Sequence, residues 1–337
     1  MKAVVLTAYR KPLVVADVPE PAVGSHDVLV RVEAAGLNHL DEKLRAGEFR
    51  SISPLRLPTV LGHDVAGTVL EVGSAVRAFR VGDEVFGRVR DGRIGTFAER
   101  VSVDEADLAP VPERLSLVEA ASLPLVALTA WQALVVRGRV GPGQRVLVHA
   151  GSGGVGSIAI QLAAHLGATV ATTAGADNAD FVRGLGADVV IDHRAEDFAE
   201  RLSGYDLVLD SRGGDDLDRS LRVLAPGGLA VGISGPPDPD FARAAGLSPV
   251  LRLAIAGISA RVRRAARKAG VRYSFLFMEA SGAQLREISA LVAAGAIRPV
   301  GAVRADPGGA RRARQRGARQ GRGDGLLVVS GALRASS

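Results

Sequence analysis

Six residues between 151 and 156, Gly-Ser-Gly-Gly-Val-Gly, have the types and spacing to hold a phosphate. Gly151, Gly153 and Gly156 satisfy the pattern G-x-G-x-x-G. One glycine makes a tight turn, a second lets backbone approach a pyrophosphate with no Cβ in the way, and the third lets a helix pack closely on the strand before it. Ser152, Gly154 and Val155 complete the loop, whose N–H groups at a helix N-terminus face the anion. In a chain with 41 glycines the match alone says little. Its context says more: the apolar run RVLVHA (145–150) enters the turn and a helical pattern from Gly154 to Leu166 leaves it. A dinucleotide is the expected ligand, and a purely structural turn is the alternative.

The choice of dinucleotide falls to the end of the next strand, where NAD-binding proteins place an Asp or Glu to accept from the ribose 2′-OH. Thr172, Thr173, Ala174 and Gly175 occupy that end and hold no carboxylate. Thr173, Asn178 and His193 offer groups to a 2′-phosphate, so NADPH is the expected cofactor. Asp177 is the opposing feature, since turned inward it would repel the phosphate.

Such a turn needs a parallel sheet to hold it. Strands at Thr169–Thr173, Val189–Ile191, Leu207–Asp210 and Leu229–Ile233 alternate with helices at Ala179–Leu185 and Leu217–Leu224, the βαβ pattern of a doubly wound sheet. Before residue 120 the pattern is different. Short strands are punctuated by glycine and proline, and Val28, Val30 and Val32 share one face at period two within Asp27–Ala35. The expected architecture is α/β: a β-rich, barrel-like catalytic domain over 1–120, completed by about 261–300 with 326–330 as a candidate last strand, and a Rossmann domain over 121–260.

The 337 residues include no cysteine, which removes disulfides, thiolate nucleophiles and every zinc site built on Cys. The net charge of +6 is carried by the tail, where residues 301–337 hold eight arginines and two acids while residues 1–300 are neutral. Gly301–Gly325 is almost entirely Gly, Ala and Arg and cannot bury enough apolar surface to offset the entropy of ordering, so a disordered basic tail is expected there. Two origins stay open for it: a basic arm that binds polyanions, or the product of out-of-frame reading of a GC-rich gene. With no interleaved aromatic residues, specific nucleic-acid recognition is not expected. A second basic stretch, Arg261–Arg272, reads as the solvated face of a helix with its Ala and Val turned inward, too small an apolar face for membrane-surface binding. The run from Ala120 to Val136 reads as a buried helix, too short and too interrupted to span a bilayer. The start of the chain reads as a strand, so a cytoplasmic protein is expected.

Together, LGHDVAGTVLEVG, VGDEVFG, SLPLVALTAWQAL, HAGSGGVG, GADNADFVRGLGADVVIDH, DSRGG and LAPGG resemble the medium-chain dehydrogenase/reductase superfamily over about residues 1–300. The resemblance is to its zinc-independent branch of quinone oxidoreductases and NADPH-dependent enone and alkenal reductases, and it implies a GroES-like catalytic domain beside the Rossmann domain. In the zinc alcohol dehydrogenases of that superfamily a Cys, the His of G-H-E and a second Cys or acid hold the metal. Gly62-His63-Asp64 keeps only the His, and Leu37-Asn38 stands in the region of the first Cys. No metal is expected, and His63 reads as a hydrogen-bonded barrel residue.

The resemblance further implies Asn38, Asp41 and Lys43 as a catalytic set near the nicotinamide. Asn38 would orient cofactor or substrate carbonyl, Lys43 would donate to developing oxyanion charge, and Asp41 would orient Lys43. An exposed, solvated Asp–Lys pair is the plainer alternative. Thr129 is implied at the nicotinamide ribose side, and Phe275 and Phe277 at its ring, unless they are core aromatics. The expected activity is reduction of the C=C bond of α,β-unsaturated carbonyls, or of quinones, by hydride transfer. An NADPH-binding regulatory or polyanion-binding protein without turnover is the alternative, and a homodimer is implied by the family alone.

Overall fold

The computed structural model describes residues 1–50 and 54–300, together with the backbone of two short strands at 303–304 and 327–328. The disordered tail expected over 301–325 lies outside the described residues except at 303–304, which form a short strand. The chain divides into two compact units, Met1–Leu128 with the chain from Glu279 onward, and Thr129–Met278.

The first unit opens with β1 (Lys2–Leu6) and β2 (Val14–Asp17), an antiparallel pair. The alternating valines then form β3 (Asp27–Gly36), with Val28 and Val30 fully buried and Arg31 exposed. α1 (His39–Ala46) follows, then β4 (Thr59–Val60) on the other edge of β1. β5 (Asp64–Val72), β6 (Glu84–Arg88), β7 (Arg100–Asp104) and β8 (Leu108–Pro110) join β3 in an antiparallel sheet. The β3–β5 register shifts twice, between Leu29 and Val30 and between Val32 and Ala34, which lets the sheet bend around its valine core. After α2 (Leu117–Ala120), α3 (Pro124–Trp131) carries the boundary, and its helix widens into π turns over Gln132–Arg137. The buried helix read from Ala120 to Val136 is therefore three pieces.

The second unit is built on β9 (Arg145–Val148), α4 (Gly154–His165), β10 (Thr169–Ala174), α5 (Ala179–Arg183), β11 (Val189–Asp192), α6 (Phe198–Arg201), β12 (Tyr205–Asp210), α7 (Gly214–Val223) and β13 (Leu224–Gly232). It continues through α8 (Pro239–Ala244), α9 (Pro249–Ile258), α10 (Ala260–Lys268) and β14 (Arg272–Phe275). The six strands form one parallel sheet in the order β11-β10-β9-β12-β13-β14. Val146, Leu147 and Val148 are completely buried, as expected for a strand covered on both faces. The order reverses between β9 and β12, so the ligand crevice belongs at the C-terminal ends of those strands.

Two boundaries need correction. The first change of unit falls at 128/129 rather than 120, and the return falls at 278/279 rather than about 260. The reason is β14, which pairs in parallel with β13 and keeps the chain in the Rossmann sheet until Met278. The first unit then regains α11 (Gly282–Ala293), β15 (Val303–Arg304) and β16 (Leu327–Val328). Val328 pairs with Gly36 of β3, in the apolar cluster expected to supply a last strand.

Candidate functional site

In the second unit, the turn at Gly151–Gly156 joins β9 to α4 as its spacing required. A Cβ on Gly156 would stand 2.2 Å from the carbonyl oxygen of Ala150, and one on Gly151 would stand 2.1 Å from Thr172 Oγ1. Both positions exclude a side chain. Gly153 occupies the N-cap of α4 in extended backbone and supplies no side-chain cap, so this end of a long helix keeps amides for an anion. Ser152, Gly153, Gly154 and Val155 are half-buried, at the rim of the turn. The residues fit a dinucleotide pyrophosphate.

A residue that the sequence reading passed over holds this turn from below. His149 is buried, its Nε2 is 2.8 Å from Ser220 Oγ and its Nδ1 is 3.2 Å from Thr173 Oγ1. Burial pushes its pKa down to about 4, so the ring is neutral. Ser220 donates its hydroxyl to the Asp216 carbonyl and must accept from Nε2–H, which leaves Nδ1 as acceptor for the Thr173 hydroxyl. Thr173 in turn accepts the Ala150 N–H at 3.0 Å. The hydroxyl expected to greet a 2′-phosphate is spent inside the fold, and so is Thr172, which donates to the Val148 carbonyl. Phe198 stands edge-on to His149 at 4.6 Å between centroids.

Asn178 is exposed at the N-cap of α5, and His193 is exposed just after β11. Beside His193 stands Arg194, also unnoticed in the sequence. A Cβ on Gly175 would lie 3.8 Å from both Arg194 Cζ and His193 Cε1, so the guanidinium and the imidazole flank the C-terminal end of β10. Thr173 and His193 also line a small pocket of about 70 Å³ with Arg212 and Arg219, both of which pair with Asp216. Thr129 is buried on α3. Phe275 and Phe277 pack on Phe241, at 5.3 and 5.7 Å between centroids, as a cluster within this unit.

In the first unit, the end of β3 and the start of β5 and α1 bring Asn38, Asp41, His63 and Asp64 into one buried polar set. The Asn38 backbone N–H donates to Asp41 Oδ2 at 2.9 Å, capping α1. Its side-chain amide donates to Asp64 Oδ2 at 2.9 Å, and the Leu125 N–H donates to Asp64 Oδ1 at 3.1 Å. His63 Nδ1 lies 2.7 Å from Asp41 Oδ1, and its Nε2 lies 3.7 Å from Asp91, which also accepts from Arg88 at 2.6 Å. Burial works to discharge the imidazole, but Asp41 and Asp91 outweigh it and raise its pKa. Asp64 is completely buried, and burial pushes its carboxyl up to about 7 against the Asn38 hydrogen bond.

Asp41 is thus neither half of an exposed Asp–Lys pair nor in contact with Lys43 as its orienter. It is buried and bonded to His63 and to the Asn38 backbone, because α1 turns its side chain inward while Lys43 stays half-buried with no side-chain partner among the described residues. A zinc ion does not fit here. Asp41 and Asp91 occupy the two nitrogens of His63, Asn38 stands where a thiolate would be needed, and among the described residues no three His, Asp or Glu side chains gather as a metal site.

Fold and site define a two-unit protein with a GroES-like β domain and a Rossmann dinucleotide-binding domain. Residues 24–113 match the family described as alcohol dehydrogenase GroES-like domain, and residues 185–316 match the one described as zinc-binding dehydrogenase. An NADPH-dependent alkenal/one oxidoreductase of Arabidopsis thaliana is 42% identical over 64% of this chain and 57% of its own length. A 2-methylene-furan-3-one reductase of Solanum lycopersicum is 40% identical over 65% of this chain. The chain spans less than three fifths of both, 57% and 58%. A mitochondrial NAD(P)H oxidoreductase of Danio rerio is 36% identical over 82% of this chain and 76% of its own. Among solved structures, the quinone oxidoreductase of Coxiella burnetii superposes with a TM-score of 0.81 at 31% identity, covering 97% of this chain and 98% of that one. The chain belongs to the medium-chain dehydrogenase/reductase superfamily, in its branch of quinone oxidoreductases and alkenal/enone reductases.

Proposed function

We propose that the protein is an NADPH-dependent reductase that adds hydride to the C=C bond of α,β-unsaturated carbonyls, or to quinones, without a metal. The observation that carries this reading is a pairing: a phosphate-binding turn with an uncapped helix end, and a buried polar set in which both nitrogens of His63 are engaged. The turn suits a dinucleotide. The polar set leaves no donors for the Lewis acid that reduction of an isolated carbonyl calls for. An enone asks for less, because hydride at its β-carbon leaves an enolate whose charge is delocalised. The names of the relatives, alkenal/one oxidoreductase and quinone oxidoreductase, support the same acceptor classes.

Bound NADPH supplies the hydride. The chain contributes positioning. In this reading Asn38 orients the substrate carbonyl or cofactor, its amide held by Asp64 and its backbone by Asp41. Lys43 donates to the oxyanion charge as it develops, and a solvent proton completes the reduction. Asp41 is a positioning residue that acts through Asn38 and His63. Thr129 serves the nicotinamide ribose, and Phe275 and Phe277 the ring. The carboxylate-free end of β10, with Asn178, His193 and Arg194 about it, supports NADPH over NADH. A reducing, cytoplasmic setting suits a chain without cysteine, and family resemblance supports a homodimer.

The test is the loss of NADPH absorbance, with NADH in parallel, when the purified chain meets an alkyl vinyl ketone, a long-chain 2-alkenal and an ortho-quinone. Turnover that prefers NADPH is expected. A folded protein that binds NADPH yet consumes none with any acceptor would sink the reading in favour of a binding module.

A further inference from the structure

α9 and α10 run on from one another through Ser259, whose own backbone is helical, with φ −86° and ψ −1°. Their buried residues are Ile255, Ser259, Val262 and Ala266. Steps of four, three and four place these on one stripe, so the pair behaves as a single helix over 249–268 seated by one face. Val262 and Ala266 join the sheet-side core with Leu217 and Val271.

The opposite face is divided along its length. Toward the N-terminus it shows Val250 and Leu253, exposed at 77% and 76%, while Leu251 and Ile258, the latter exposed at 63%, stand toward its flank. These are four of the nine exposed large apolar side chains among the described residues. Toward the C-terminus, in phase with Val250 and Leu253, it shows Arg264 and Lys268, with Arg267 adjacent; all three are exposed and none has a side-chain partner among the described residues. Arg261, on the same face, pairs with Asp218. No Asp or Glu occurs between 249 and 272, while six Arg and one Lys do. Arg261–Arg272 alone offers too small an apolar face to bind a membrane. The preceding helix supplies the missing part.

We infer that the outer face of 249–268 is a docking surface for an anionic lipid bilayer. Val250 and Leu253 enter the boundary between headgroups and acyl chains, and Arg264 and Lys268, with Arg267 at the flank, meet the lipid phosphates. No helix among the described residues is long and apolar enough to cross a membrane, so the contact is peripheral. A second copy of the chain is a poorer occupant. Antiparallel pairing of two such faces sets Arg264 and Lys268 against Val250 and Leu253, and parallel pairing sets cation against cation. A bilayer surface accepts both halves at once. The inference goes beyond the reductase reading and stands or falls without it, since it is tested by binding rather than turnover.

The experiment is co-sedimentation of the full chain with phosphatidylcholine vesicles, with and without phosphatidylglycerol, for wild type, Val250→Ser/Leu253→Ser and Arg264→Glu/Arg267→Glu. Circular dichroism checks the fold, which these exposed positions leave intact. Wild type is expected to bind the anionic vesicles, more weakly at about 0.5 M salt. Each double variant is expected to lose about tenfold in apparent affinity. Unchanged binding in both variants would overturn the inference and move the contact to another basic segment, such as the arginines beyond 301. Absence of wild-type binding, with a dimer that dissociates in the Val250→Ser/Leu253→Ser variant by light scattering, would overturn it in favour of a subunit interface.

Discussion

Asp64 makes stability depend on pH in a direction opposite to that of an ordinary paired carboxylate. Its folded pKa is about 7 against an ordinary 3.8, because burial penalises the charge more than the Asn38 and Leu125 hydrogen bonds favour it. Between these values the unfolded chain is ionised and the folded chain protonated, so folding takes up a proton and stability is lost as pH rises toward 7. Three pH units at about 1.4 kcal/mol each make the full effect on the order of 4 kcal/mol. His63, also raised, loses its contribution in the same direction but only above its ordinary 6.5; Asp210, raised by burial, acts in the same direction as Asp64, and His149, held neutral by burial down to about 4, acts oppositely between about 4 and 6.5, so Asp64 is read from the difference between wild type and a variant that lacks its titration. The perturbation is Asp64→Asn, nearly isosteric with the neutral acid and without its titration. Urea unfolding at pH 4.5, 5.5 and 6.5 should show the variant gaining about 3 kcal/mol on wild type across that window. Parallel pH dependence in the two proteins would refute the assignment of a protonated Asp64.

Gly156→Ala drives a Cβ to 2.2 Å from a backbone oxygen that cannot rotate away, so NADPH affinity should fall at least about tenfold by fluorescence titration, with a stability loss of about 1–3 kcal/mol. Unchanged affinity would show that the turn does not hold the cofactor. Arg194→Ala removes the guanidinium beside Gly175 and should cost about tenfold in the NADPH-over-NADH ratio of kcat/KM while leaving NADH kinetics alone. Equal losses with both cofactors would remove Arg194 from 2′-phosphate recognition. Asp41→Asn takes the anion from His63 Nδ1 and loosens the Asn38 cap, so it should destabilise the first unit by about 3 kcal/mol in urea unfolding and lower kcat more than KM. Prolonged dialysis against a strong chelator should leave turnover unchanged; loss of activity restored by zinc would overturn the donor argument made from His63.

The parts of the fold legible in the sequence are those whose pattern is local. RVLV enters a glycine turn and is buried on both faces, and the period-two valines of β3 declare their face, because strand alternation needs no knowledge of neighbours. β14 was not legible. Its four residues, RYSF, follow a basic helix and carry no run of apolar residues, and only the edge of β13 makes them a strand. The phosphate turn was readable for the same reason as β9. Arg194 was not, since it comes to the end of β10 only when β11 lies beside β10 and brings its end to Gly175. Asp41 was misjudged as solvated because its partner His63 is 22 positions away, and no helix-spacing rule points to it.

That misjudgement also explains how the first unit carries so much buried charge. Asp41 pairs with His63, and the buried Arg88 pairs with Asp91, whose side chain is half exposed, so each buried cation meets a carboxylate, and Asp64 as the neutral acid adds no charge. With the proton on Asp64 the set sums to zero; without it the set holds one uncompensated anion away from water. A buried cluster tolerates pairs far better than a lone charge, so the proton on Asp64 completes the set as much as any side chain does. The carboxyl that keeps the proton is also the one that holds the Asn38 amide. Orientation of the Asn38 amide is therefore tied to a proton that burial retains up to about pH 7.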